Sequence, residues 1–344
     1  MLGLFALGEC ADWQADAQGN GNKQDLSQFE HCEAPHFDVP NYGEVSDCCP
    51  ALPGPRSPGC GLRLIPLARP RGRRYASQDE PTEHSESLRQ DLSGLGLCEG
   101  DGVFVHASLK AIGPTVGGAR TVVQALLDCV GETGLVGMPG FSTDAYFPAD
   151  IDAKSLTPDE MQRIRDAVPG FNPAVSPAEG MGVIAETFRT WPGTQRSAHP
   201  TTSVCLRGRD ADRYLSEHSL SWSTGEQTPF GTLRQREEMK ILLIGVGWNR
   251  CTVLHTAETL APVRRTKMRC FKTGRLGGHW MELPDIADDN SRLFPSVGAA
   301  YEATGQVRTG LLGAAECRVC DYADLVTFAT DWISAANQAS GDRH

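Results

Sequence analysis

No run of about 18 apolar residues occurs in this 344-residue chain, which excludes a membrane-spanning helix. Met1 to Leu7 is apolar but too short for a secretory core, and no basic segment precedes it. A cytoplasmic protein is therefore expected. Positive charge is also scarce. The net charge of −11 argues against nucleic acid as the main partner, because phosphate binding needs clustered Lys and Arg. It suits a cationic small molecule instead. Aromatic residues make up only 7% of the chain, and no internal repeat is present. A second close cysteine pair is missing as well. Cys317 and Cys320 form the only C-x-x-C, whereas a structural zinc site wants four ligands. Reduced thiols and no metal are the expectation.

What is present divides the chain in two. Residues 1–80 contain Asp47-Cys-Cys-Pro50, Pro58-Gly-Cys-Gly61 and the basic stretch Arg69 to Arg74, with no sustained period. That is the composition of a loop-rich or disordered extension. Residues 81–340 read as one globular domain. Ser87 to Leu95 is a helix with Leu88, Leu92 and Leu95 on one face. Gly102 to His106 is a short buried strand, Thr121 to Val130 an amphipathic helix, and Gly134 to Met138 the next strand. Together they make a β-α-β unit. Asp150 to Ala167 is polar and helix-prone, an insertion or lid. Helices are also expected over Met181–Phe188, Thr252–Leu260 and Tyr322–Gln338. Strands are expected over Thr201–Leu206 and Lys240–Gly245.

Three constellations could carry chemistry. Val105-His-Ala-Ser-Leu109 followed by Gly117-Gly118 places free backbone N–H groups at a helix start, a natural anion site. Plain tight turns explain the same glycines equally well. Arg196-Ser-Ala-His-Pro-Thr-Thr-Ser203 holds His199 in extended backbone among hydroxyls. A histidine titrates in the range that proton removal from an amine requires, and it also serves simply to bond a turn. Gly245-Val-Gly runs towards His255 and Glu258, which are i and i+3 on one helical face. A dinucleotide fingerprint is incomplete there, because Arg250 stands where its third glycine would fall. A surface His–Glu pair is the plainer alternative.

In order, these segments resemble the aminoglycoside 3-N-acetyltransferase family. The matching pieces are Val105-His-Ala-Ser-Leu109, Gly117-Gly118, Met138-Pro139 and Met181-Gly-Val-Ile-Ala-Glu186. Arg196-Ser-Ala-His-Pro-Thr-Thr-Ser203, Gly225-Glu-Gln-Thr-Pro-Phe-Gly231 and Thr252-Val-Leu-His-Thr-Ala-Glu258 complete the set. The chain departs from the family pattern at Gly140, where Thr is common, and at Asn172, where Asp is common. It departs also at Thr202, often a second His, and at Cys251, usually a small polar residue.

The resemblance implies an α/β fold of the antibiotic N-acetyltransferase type, a central mixed sheet flanked by helices. It implies acetyl transfer from acetyl-CoA to the 3-amino group of a 2-deoxystreptamine aminoglycoside, without a metal, by a monomer or homodimer. A different amine acceptor, or a silent binder of coenzyme A or aminosugar, are the rival readings. On this resemblance His199 is the general base, supported by Glu258. Thr201 polarises the thioester, Ser108, Gly117 and Gly118 receive the cofactor, and Glu226 and His255 line the acceptor site.

Overall fold

The computed structural model describes residues 83–274, 278–287 and 291–340. The expectation of a disordered extension over 1–80 lies outside the described residues. The remainder is built on a seven-stranded mixed sheet ordered β3-β4-β2-β1-β5-β9-β8. Its centre is β1 (Gly102–Ala107), parallel to β2 (Leu135–Pro139) on one side and to β5 (Met239–Ile244) on the other. On the β2 side, β4 (Val204–Gly208) and the short β3 (Gln195–Arg196) run antiparallel to their neighbours. On the β5 side, β9 (Ala315–Asp321) and β8 (Arg308–Leu312) form an antiparallel hairpin.

Side chains alternate across the sheet, so each strand supplies two cores. Val103 and Val105 of β1 face α1 (Glu83–Gly94), α3 (Ala119–Val130) and α5 (Val183–Arg189). There they meet Leu88, Leu92, Val122, Leu126, Ile184 and Phe188. Phe104 faces the other layer, built from α6 (Ala211–Leu215), α7 (Pro229–Leu233), α8 (Leu254–Leu260), α9 (Phe294–Glu302) and α10 (Tyr322–Ser340). The four-residue α2 (Leu109–Ile112) follows β1 directly. This is the mixed sheet with helices on both faces that the resemblance implied. Cys317 and Cys320, three apart on β9, fall in opposite cores and cannot share one ion.

The polar stretch after β2 contains a short 3-10 turn, Ala153–Ser155, and then one α-helix, α4 (Pro158–Ala167), rather than a helix throughout. Thr157 and Glu160 form a reciprocal capping box at its start. No residue of α4 is buried. Its other end is fastened by the buried Lys272, whose Nζ donates to the carbonyls of Arg165, Asp166 and Val168. Lys272 closes β6 (Thr266–Lys272), which pairs antiparallel with β7 (Trp280–Ile286) in a separate two-stranded sheet. Ala145, Phe171 and Phe271 make a small third core beneath it.

The three parallel strands end together. Their following loops, 140–147, 108–118 and 245–253, therefore share the carboxyl edge of the sheet, where α/β proteins place ligands.

Candidate active site

The loop after β1 commits two of its backbone donors within the fold, Ser108 N–H to Ile244 O and Gly118 N–H to Thr115 O. Ser108 anchors it, with its N–H on Ile244 O at 2.9 Å and its carbonyl accepting from Ala111 N. Gly117 and Gly118 have φ of 82° and 62°, conformations in which a side chain is strained. A Cβ on Gly117 would strike Thr121 Oγ1, while the space around Gly118 is open. Gly118 is the N-cap of α3 and supplies no side-chain cap. The start of this twelve-residue helix therefore carries neither a side-chain cap nor an acidic residue in its first turn to oppose its dipole. A groove of about 330 Å³ lies between α2 and the ends of β5 and β9, lined by Ala111, Gly245, Gly247, Ala314, Glu316 and Arg318. Of the two, the uncapped start of α3 is the feature that suits an anionic phosphate.

His199 lies elsewhere on the same edge and is only 1% exposed. The N–H groups of Thr201 and Thr202 donate to its Nδ1 at 3.2 and 3.0 Å, which fixes Nδ1 as an acceptor. Nε2 therefore carries the proton, and it donates to Leu220 O at 3.3 Å. Burial pushes its pKa down to about 4. The hydrogen bond to Leu220 opposes the shift and the charge of Arg269 adds to it. Both nitrogens are occupied by backbone, so this ring has no lone pair to offer. Thr201 is buried too, with its N–H on His199 and its carbonyl accepting from Ser142 N.

The rest of the R-S-x-H-P-T-T-S segment is scaffold. Arg196 donates to Gly140 O, Ser176 O and Ser203 Oγ, and its guanidinium lies over the Phe171 ring. A Cβ at Gly140 would meet Cys205 Sγ at 2.8 Å and Arg196 Nε at 3.2 Å, so this departure accommodates the clamp. Thr202, another departure, places Oγ1 2.9 Å from His199 Nδ1. Asn172 caps its own turn, accepting from Ala174 N, and Cys251 is fully buried with its thiol pushed up to about 12 by burial.

Glu258 does not reach His199, contrary to the expectation that it would support that ring. The helix pitch of α8 joins it instead to His255, with Nδ1 and Oε2 2.7 Å apart. The His255 side chain is 12% exposed and that of Glu258 15%. The Thr224 and Thr259 hydroxyls both donate to His255 O, and the Phe294 ring lies 4.7 Å from the imidazole. With Nδ1–H given to the carboxylate, Nε2 is the nitrogen with a lone pair. Backbone, ring and tautomer are thus all held. On the sheet below, burial drives His106 down to about 3, with the nearby His255 as a second cause.

Glu226, expected at the acceptor site, is exposed in the loop before α7. The G-x-x-T-P-x-G motif around it has a local cause. Thr228 caps α7, Pro229 occupies its first turn, and Gly231 packs where a Cβ would touch Gly225 O and Glu226 O. Two polar groups escaped the sequence reading. His218 stacks on His199 with ring centroids 4.7 Å apart, and Asp285 is buried beneath the same loop. The signal for His218 was one histidine in a polar stretch. Asp285 had none.

The family profile described as aminoglycoside 3-N-acetyltransferase matches residues 104–334. The chain is 35% identical over 250 residues to the SPbeta prophage-derived aminoglycoside N(3')-acetyltransferase-like protein YokD of Bacillus subtilis (strain 168). That match covers 72% of this chain and 91% of the relative. Its fold is similar to AAC-IIIb in binary complex with CoASH, with TM-score 0.66, 31% identity, and coverage of 73% of this chain and 96% of the other. It is also similar to AAC-VIa bound to sisomicin, with TM-score 0.64, 30% identity, and coverage of 75% and 99%.

Proposed function

The chain belongs to the aminoglycoside 3-N-acetyltransferase family, and from that membership we propose an acetyl transfer in which the His255–Glu258 pair handles the proton. The reaction is acetyl-CoA-dependent acetylation of the 3-amino group of an aminoglycoside. The observation that carries the assignment of the base is the 2.7 Å contact between His255 Nδ1 and Glu258 Oε2.

Acetyl-CoA, when bound, supplies the acetyl group as a thioester. Ser108, Gly117 and Gly118 would hold it, Ser108 through its hydroxyl and the two glycines by giving the ligand close approach to the first turn of α3, since the Ser108 and Gly118 N–H groups are already bonded to Ile244 O and Thr115 O. The protein's own task is to bring a neutral amine to that carbon and remove the amine proton. As the amine nitrogen bonds to the acetyl carbon and the thioester C–S bond breaks, His255 Nε2 would take the amine proton. It would pass that proton to the departing thiolate, which leaves as the free thiol, while the Glu258 carboxylate stabilises the transient imidazolium. Holding the His255 backbone by Thr224 and Thr259, and its ring by Glu258 and Phe294, avoids a search of orientations during the reaction. Thr201, with its N–H and carbonyl both committed to the protein, is not needed for the thioester carbonyl. Backbone N–H groups of the cofactor loop supply that polarisation.

Acceptor recognition falls to carboxylates at the rim. Glu226 is exposed and Asp144 is half-buried on the loop after β2. Residues 81–344 carry 32 Asp and Glu against 25 Lys and Arg, which suits a polycation.

The test is release of free coenzyme A thiol with a panel of amines. Aminoglycosides bearing a free 3-amino group should turn over, and the same compounds blocked at that nitrogen should not. Raising ionic strength should raise KM for the antibiotic more than KM for acetyl-CoA, because salt screens exposed charge. Turnover of simple amines with no response to aminoglycosides would move the acceptor to another class.

A further inference from the structure

The loop from His218 to Thr228 links the two histidine centres, and one carboxylate of the β6–β7 hairpin holds it. Asp285 on β7 is 2% exposed. Its Oδ2 accepts from Ser223 Oγ at 2.7 Å and from Arg269 Nε at 3.0 Å. Its Oδ1 accepts from Ser223 N at 3.2 Å and Ile286 N at 2.9 Å. Arg269 in turn donates to the Tyr146 hydroxyl at 2.8 Å. A buried carboxylate with four donors, one of them a guanidinium, is fully satisfied, so it acts as a rigid fastening.

From Ser223 the contacts divide. Towards His199, the Ser223 carbonyl accepts from His218 Nε2 at 2.9 Å. His218 Nδ1 accepts from Ser197 Oγ at 2.8 Å, and the His218 ring lies against His199. Towards the proposed base, the next residue, Thr224, donates to His255 O and meets Thr259 Oγ1 at 2.8 Å.

The residue before Ser223 is strained. Trp222 has φ of 51°, a left-handed conformation unusual for a bulky side chain. Three contacts hold it there. Its N–H donates to Pro284 O, its carbonyl accepts from Gly225 N at 2.7 Å, and Arg264 covers its ring at 4.3 Å. Backbone strain of this kind persists only where surrounding contacts over-determine it, and it concentrates at functional sites.

We infer that Asp285 is a positioning residue for the acetyl transfer, acting through Ser223 and Thr224 to fix the backbone under His255. The hairpin is thereby coupled to catalysis and is more than a cover over the third core. The inference rests on His255 being the base. Wild-type thiol release and its loss in His255→Ala test that reading separately.

The experiment compares Asp285→Asn and Ser223→Ala with wild type, measuring kcat, both KM values and acetyl-CoA affinity by calorimetry. Asp285→Asn keeps the shape but replaces one acceptor oxygen by a donor. It is expected to lower kcat about 10-fold or more, because small misplacement of a reacting group slows the step steeply. Acetyl-CoA affinity should stay within about twofold, since the cofactor loop lies on β1 and α3. Ser223→Ala removes only the Oγ–H bond and should lower kcat by about 3-fold or more, again with cofactor affinity kept. Near-wild-type kcat in both folded variants overturns the inference, leaving Asp285 as a staple of the hairpin. Parallel losses of kcat and cofactor affinity overturn it too, as general damage. If Asp285→Asn does not fold, Ser223→Ala decides alone by the same two measures.

Discussion

Replacing His255 by alanine is expected to lower kcat by at least about 10²-fold in folded protein, the range of a lost general base. The acid limb of the pH–rate profile should flatten as well, because neither neighbouring imidazole can take over. His106 beside His255, whose Nε2 has no hydrogen-bond partner, is too weak a base with its pKa pushed down to about 3 by burial, and His199 has both nitrogens bonded. Glu258→Gln should give a smaller fall, about 10-fold, because the ring stays in place but loses the charge that stabilises its protonated form. His199→Ala is expected to behave differently. It orphans the N–H groups of Thr201 and Thr202, two buried donors that each cost about 1–3 kcal/mol when left unpaired. The melting temperature should drop by several degrees, about 2–4 °C per kcal/mol for a domain of this size. The fraction that remains folded should still turn over. The opposite pattern, dead His199→Ala at unchanged melting temperature with an active His255→Ala, would return the role of base to His199.

The physical reason these two histidines were exchanged lies in what each pattern can encode. His255 and Glu258 are three apart on a helix, so their contact is a local property that the spacing announces. The pair was legible, although it stood then for an acceptor residue and a supporting carboxylate. His199 sits in a loop, where the partners of an imidazole are set by the turn itself. Thr201 N–H and Thr202 N–H reach Nδ1 only because Pro200 and the entry to β4 fold the chain back on the ring. A string of hydroxyl residues around a histidine looks the same whether they serve a substrate or the turn.

The fold shows the same division. The β-α-β unit over β1, α3 and β2, the buried β5 and the final helix were legible, because hydrophobic runs of the right length end in glycine or proline. Helix starts were misplaced by one or two residues, as at Val183 and Leu254, since caps there are glycine or an unremarkable residue. The β6–β7 hairpin went unread. Thr266 to Lys272 begins by alternating exposed and half-buried positions, with the apolar Met268 exposed and the basic Lys267 and Arg269 half-buried, and its core partners Ala145 and Phe171 are about 100 residues away. Asp285 was hidden for that reason: a carboxylate becomes buried only once Arg269 and Ser223 are brought to it.

Buried histidines also govern how the protein meets acid. Burial lowers His199 to about 4 and His218 and His106 to about 3, so all three are neutral in the folded state near pH 6. In the unfolded chain they titrate at about 6.5. Above that value neither state binds the proton, and these groups leave stability unchanged. As pH falls through 6.5 the unfolded state gains protons that the folded state refuses, so stability falls with pH. At pH 5 each imidazole contributes about 2 kcal/mol of destabilisation, and the three together about 6 kcal/mol. Folded domains are stable by only about 5–15 kcal/mol in all. The loss levels off only near pH 3 to 4, where the folded imidazoles themselves take up protons. Carboxylates act in a lower window. Glu186, held down by its hydrogen bond to Arg189, gives up its contribution only below its ordinary value of 4.5. Urea unfolding is therefore expected to show a flat stability between pH 8 and 7 and a steep decline from 6.5 to 5, about 4 kcal/mol per pH unit at its steepest. The slope counts protons, so it reads out how many imidazoles enter the fold uncharged. A stability that stays flat to pH 4.5 and then collapses would assign acid unfolding to the carboxylates and place these rings in contact with water.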